Sequence, residues 1–90
     1  MFETLFEYEF EGTPYHAWFI EWIYPDNREF RVSIKTPSLI SQFGPSFIIN
    51  VNSKGEYEFG YPNVSKGHEY LSSLTKGLMK FNSQNPNKRS

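Results

Sequence analysis

The stretch YHAWFIEWIY, Tyr15 to Tyr24, decides how this chain folds. Successive side chains of a strand point to opposite faces of the sheet, so a half-buried strand alternates apolar with polar. Here both faces are apolar. His16, Trp18, Ile20, Trp22 and Tyr24 fall on one side, and Tyr15, Ala17, Phe19, Glu21 and Ile23 on the other. Which set enters the core depends on register with the neighbouring strands, because a slip of one residue exchanges the two faces.

On the N-terminal side, residues 2 to 11 alternate, with Phe2, Phe6, Tyr8 and Phe10 opposed to Glu3, Leu5, Glu7, Glu9 and Glu11. Gly12 to Pro14 carries turn chemistry, and so does Pro25 to Asn27. A third strand follows over residues 29 to 36, with Phe30, Val32 and Ile34 opposed to Glu29, Arg31, Ser33 and Lys35. If both turns are three-residue loops, Trp22 opposes Phe30, Ile20 opposes Val32 and Trp18 opposes Ile34, while Tyr8 and Phe6 oppose Trp18 and Ile20. Both hairpins then select the tryptophan face as core. Truncating either tryptophan to alanine is expected to cost on the order of 3 to 5 kcal/mol in that register. The second face keeps Leu5, Tyr15, Ala17, Phe19 and Ile23 within a charged rim, and Glu21 opposite Arg31 forms a cross-strand pair.

Downstream, TPSLISQFGP reads as a helical turn: Thr36 as cap, Pro37 at the first position, Gly44 past the end and Pro45 as stop. Residues 46 to 52 and 56 to 61 make a hairpin about Ser53 to Gly55, with Val51 opposing Tyr57 and Ile49 opposing Phe59. From Ser65, a capping residue, the apolar period lengthens. Tyr70, Leu71, Leu74, Leu78 and Phe81 recur at helical spacing, while Gly67 and Gly77 weaken the segment by about 1 kcal/mol each relative to alanine. The predicted fold is α+β: an antiparallel meander of about five strands, a short connecting helical turn, and a C-terminal helix packed on one sheet face, the tryptophan face in the register above. Residues 1–82 form one domain, and the polar residues 83–90 a disordered tail.

Either the turn carrying Leu39, Ile40 and Phe43 folds over the second face, or that face is an apolar patch with a charged rim, which is how a partner surface looks. On the patch reading the partner-binding residues are Leu5, Tyr15, Phe19, Glu21, Ile23 and Arg31.

Composition narrows the function classes. Ninety residues hold nine Phe, six Tyr and two Trp, and the formal charge of -1 gives no global attraction to nucleic acid or to an anionic membrane. The chain has no cysteine, hence no disulfide framework, thiolate nucleophile or cysteine-based zinc site, as suits a cytoplasmic protein. Its first ten residues, interrupted by Glu3, Glu7 and Glu9, read as neither a signal peptide nor a membrane span. His16 and His68 lack the spacing of a catalytic set or a metal site, so no catalytic residue, metal or cofactor is expected. Lys76, Lys80, Lys88 and Arg89 make the C-terminal end basic, which supports a nucleic-acid-binding helix as the alternative.

The turn punctuation also resembles the core of ubiquitin-conjugating enzymes. EGTPYHAWFIEWIYPDN is similar to their Gly-Thr-Pro-Tyr stretch, apolar strand and Tyr-Pro turn, INVNSKGEYEF to the segment around their active site, and the helix end followed by NPN to theirs. The N-terminal helix and the His-Pro-Asn tripeptide of that family are absent, and TPSLISQFGP would be an insertion. The position matching the catalytic cysteine falls near Glu58, so the resemblance implies a conjugation-dead variant that binds other proteins. Both lines lead to one expectation: a non-catalytic protein-binding module, a small adaptor or inhibitor such as a phage or mobile element encodes, acting on a protein partner or on itself as a homodimer.

Overall fold

A computed structural model describes residues 3–59 and 67–84. Two short turns fix its sheet. Phe10 pairs with Thr13, which leaves Glu11 and Gly12 as a two-residue turn. Both have positive φ, 52° and 81°, the signature of a primed turn whose twist matches that of the flanking strands. The second turn is also two residues long, Pro25 and Asp26, closed by Tyr24 N–H donating to the Asn27 carbonyl at 2.8 Å. Proline supplies the φ that the first position of such a turn requires.

These turns connect β1 (Thr4–Phe10), β2 (Thr13–Ile23) and β3 (Arg28–Ile34). The sheet continues through β4 (Ser46–Val51) and β5 (Tyr57–Phe59) in the antiparallel order β1-β2-β3-β4-β5. The last hairpin has the expected register, Ile49 against Phe59 and Val51 against Tyr57, about a loop in which Gly55 takes φ 84°. Two helices complete the fold, α1 (Pro37–Phe43) and α2 (Gly67–Gln84). Thr36 precedes α1 in extended conformation without a side-chain cap bond, Pro37 opens it, and Gly44 ends it with φ 108°. The expected Ser65 cap, residues 60 and 61 of the last strand and most of the tail lie outside the described residues.

The observed register overturns the tryptophan core. Ala17 pairs with Ile34, Phe19 with Val32 and Glu21 with Phe30, one residue off the three-residue-loop alignment. In the first hairpin Phe6 pairs with Ala17 and Tyr8 with Tyr15. Each shift is odd, so the faces exchange. Phe6, Tyr8, Phe10, Ala17, Phe19, Phe30, Val32, Ile34, Ile49 and Val51 now form the buried sheet face beneath Leu39, Tyr70, Leu71, Leu74 and Leu78. An acid in this face, the objection to such a register, is met at the end of the strand: Glu21 accepts from Arg28 Nη1 at 3.3 Å, and Arg31 binds Glu29 instead, so the expected Glu21 to Arg31 pair does not form.

Both helices cover the same side. Phe43 of α1 stacks on Tyr70 of α2 at 4.3 Å, and Phe10 meets the Tyr70 ring edge at 5.1 Å. The Tyr70 hydroxyl shares a buried hydrogen bond with that of Tyr8, 2.9 Å long. Burial pushes both phenols above their usual pKa of 10.0; the shared hydrogen bond raises Tyr70 further and offsets part of the rise at Tyr8. Gly77 has a packing role that helix propensity does not show: a Cβ there would sit 2.5 Å from Tyr8 Cβ and 2.7 Å from the Glu7 carbonyl oxygen. Its hydrogen lets α2 lie against β1.

Candidate functional site: an uncovered sheet face

With both helices on one side, the other side of the sheet is bare among the described residues. Its centre is the ridge of β2, where Trp18, Ile20 and Trp22 are each half-buried by neighbouring strands. Leu5 of β1 pairs with Trp18, and Ile48 of β4 pairs with Arg31, which itself pairs with Ile20. Leu5 is 47% exposed and Ile48 50%. Thus the uncovered face carries an apolar strip of Leu5, Trp18, Ile20 and Trp22, with Ile48 beyond Arg31 and no layer over it among the described residues.

Charged side chains lie against this strip. The Arg31 guanidinium stands 4.7 Å from the Trp22 ring centroid, and the Lys35 ammonium 5.7 Å from that of Trp18, both within cation–π range. Arg31 Nε also donates to Glu29 Oε1 at 2.9 Å, a contact that raises the guanidinium pKa further. The indole N–H of Trp22 is buried without an acceptor among the described residues. On the other side of the ridge β1 presents Glu7 and Glu9, both exposed, with Glu7 paired to His16. The face is therefore acidic along β1, apolar along β2 and basic along β3, apart from Glu29.

Of the six residues expected to bind a partner, the structure brings only Leu5 and Arg31 to this face. Phe19 is a correction: 3% exposed, it packs on Phe30 at 5.2 Å and on Phe81 at 5.6 Å. Tyr15 is half-buried against Tyr8 on the helix side, and Glu21 is held there by Arg28. Ile23, though 69% exposed, shares the parity of Phe19 and ends its strand away from the strip. Trp18, Ile20, Trp22 and Ile48 were missed as surface residues because the loop length was misjudged. The signal that could have placed them is Glu11-Gly12, a pair suited to a two-residue primed turn.

A second concavity, about 1020 Å³, runs between β1 and α2, lined by Glu7, Glu9, His16, Lys76 and Lys80 among others. It holds no paired nucleophile and base: the Ser73 hydroxyl beside it donates back to the Glu69 carbonyl at 3.1 Å. His16 lies on the uncovered face, whereas His68 begins α2 on the covered side, 5.5 Å from the Phe59 ring. The two histidines share no site. Among the described residues no group of three or more His, Cys, Asp or Glu side chains could hold a metal ion, and no helix is long and apolar enough to cross a membrane. Glu58, near which the resemblance to ubiquitin-conjugating enzymes puts their cysteine, is an exposed β5 residue 3.4 Å from Asn52 Nδ2. Comparison with family models, curated proteins and solved structures finds no match to this chain.

Proposed function

We propose that this protein is a non-catalytic protein-binding module whose docking surface is the uncovered sheet face. The observation that carries the reading is the strip of Leu5, Trp18, Ile20 and Trp22, flanked by acids of β1 on one side and by Arg31 and Lys35 of β3 on the other, with Ile48 exposed beyond Arg31. Tryptophan and arginine together are the residues most enriched where binding energy concentrates. The chemistry of the occupant follows. It is a folded protein surface with a flat apolar patch, cationic where it meets β1 and anionic where it meets β3. A small adaptor or inhibitor acts in this way, without a cofactor.

A second reading has one observation in its favour. Exposed tryptophans beside Arg31 and Lys35 on an open sheet resemble a platform on which nucleic-acid bases stack. Charge weighs against it: Glu7, Glu9 and Glu29 share the face with two cations, and a phosphate backbone gains little there.

The test uses Ile20→Lys, which places a charge on the strip without touching the buried face. Wild-type protein and this variant serve as baits in a lysate of the source cells, and each captured protein is purified and titrated directly. The reading requires an equal melting temperature for the two baits and at least a tenfold weaker association by the variant, whether with a captured protein or with itself. Association indifferent to Ile20 overturns it. Steeply salt-dependent binding of a labelled oligonucleotide, lost in Arg31→Ala, replaces it with the nucleic-acid reading.

A further inference from the structure

The charges of the uncovered face have an order that the ridge alone does not explain. Along β2, His16 stands level with Glu7 of β1, and the same register carried one step beyond Ala17 and Ile34 sets it level with Lys35 on the opposite side. Two rows away Ile20 stands level with Arg31, and one step beyond Thr4 and Phe19 the β1 side offers Glu3. Apart from Glu29, which is level with Trp22 on the β3 side and bound to Arg31, acids are therefore on one flank of β2 and bases on the other, at matching heights. A half-turn about an axis lying in the face and running close to β2 exchanges the flanks and preserves the heights. Glu7 and Glu3 of one copy then meet Lys35 and Arg31 of the other.

From this antisymmetry we infer that the occupant of the face is a second copy of this chain, in a face-to-face dimer whose two-fold axis runs close to β2. The inference rests on the binding-module reading and narrows it to one partner. In such a dimer Trp18, Ile20 and Trp22 of one copy meet the same residues of the other. Glu7 faces Lys35 of the second copy, Glu3 faces its Arg31, and both pairs occur twice, as an isologous interface demands. Sheets packed in this manner keep their strands aligned within about 30°, and the long Glu, Lys and Arg side chains absorb the resulting offset. A half-turn about β2 overlays β1, β2 and β3 of the two copies, and three strands about 4.8 Å apart and seven residues long cover roughly 300 Å² in projection. Side-chain relief raises that, and the contact stays below the roughly 800 Å² per partner of a standard interface, in the range of a reversible dimer. A formal charge of -1 per chain adds little mutual repulsion.

Complementary charge reversal tests the arrangement. Glu7 and Lys35 are both exposed, so Glu7→Lys and Lys35→Glu leave the fold intact, as thermal melting by circular dichroism verifies. Sedimentation equilibrium of the wild type is expected to give twice the 10.6 kDa chain mass. Each variant alone sets like charges against each other twice and dissociates, with its dimer constant weakened on the order of 100-fold. Mixed one to one, the two variants place opposite charges together at both positions and recover the dimer. A monomeric wild type, a dimer unmoved by either single reversal, or a mixture no tighter than its components overturns the inference. Those results leave the binding-module reading standing if a purified protein binds the wild type but not Ile20→Lys, and remove it as well if none does.

Discussion

On the helix side of the sheet, Phe19 lies tilted 5.7 Å from Phe6 and edge to face with Phe30 at 5.2 Å, beneath a layer of leucines. On the other side Trp18 and Trp22 lie under a lysine and an arginine and nothing else described. Hydrophobicity does not separate the two sets, because tryptophan is as large an apolar residue as any in the core. What separates them is the length of two turns. A strand with two apolar faces can be turned over by its connections, and the face it leaves outside becomes an exposed apolar surface.

The largest expected effect tests that inversion directly. Phe19→Ala should destabilise the fold by about 3 to 5 kcal/mol, as for other buried aromatics, whereas Trp18→Ala should cost under about 1 kcal/mol, as for surface positions. Urea denaturation of the two variants measures both, and equal losses would mean that the faces are not so distinct. Next in size is Gly77→Ala. Alanine is worth about 1 kcal/mol more than glycine within a helix, so propensity predicts a gain. The approach to Tyr8 predicts instead a net loss of about 1 to 3 kcal/mol from overpacking, with the sign read from the same denaturation midpoint.

A smaller effect probes the buried hydroxyl contact between Tyr8 and Tyr70. Tyr70→Phe leaves the Tyr8 hydroxyl without its 2.9 Å partner and should cost about 1 to 2 kcal/mol. Because both phenols titrate above 10.0 in the folded chain, their contribution is intact below pH 10 and falls away as pH rises through their folded values. Melting temperature should therefore hold steady toward pH 9 and decline above pH 10, and the decline should be shallower in a Tyr8→Phe, Tyr70→Phe double variant. Smallest is Arg31→Ala: monomer stability should be unchanged within error while association weakens, since the guanidinium sits on a solvated face and acts on Trp22 and Glu29 from outside.

Much of the architecture was legible in the sequence because it depends on local chemistry. Ser53-Lys54-Gly55 set the last hairpin correctly, since Gly55 is the residue able to take the positive φ that its loop needs. Pro37 and Gly44 bracketed α1, and the spacing of Tyr70, Leu71, Leu74 and Leu78 gave the buried stripe of α2. The residues of the proposed docking face were less legible. Leu5 and Arg31 belong to the uncovered face in the structure, but Phe19 was assigned to it only because Gly12 to Pro14 and Pro25 to Asn27 were read as three-residue loops. Either turn could be drawn with two or three residues from its composition, and parity magnifies that difference into an exchange of every side chain on β2.

The sequence by itself determined an antiparallel meander with a terminal amphipathic helix, and a central strand apolar on both faces. Only the tertiary structure decided which of those faces is core. Hydrophobic burial is non-directional and would accept either set of side chains. Two-residue turns, the fit of Gly77 against Tyr8 and the docking of α1 on Tyr70 are geometric, and together they place both helices over Phe19 and leave the tryptophans outside.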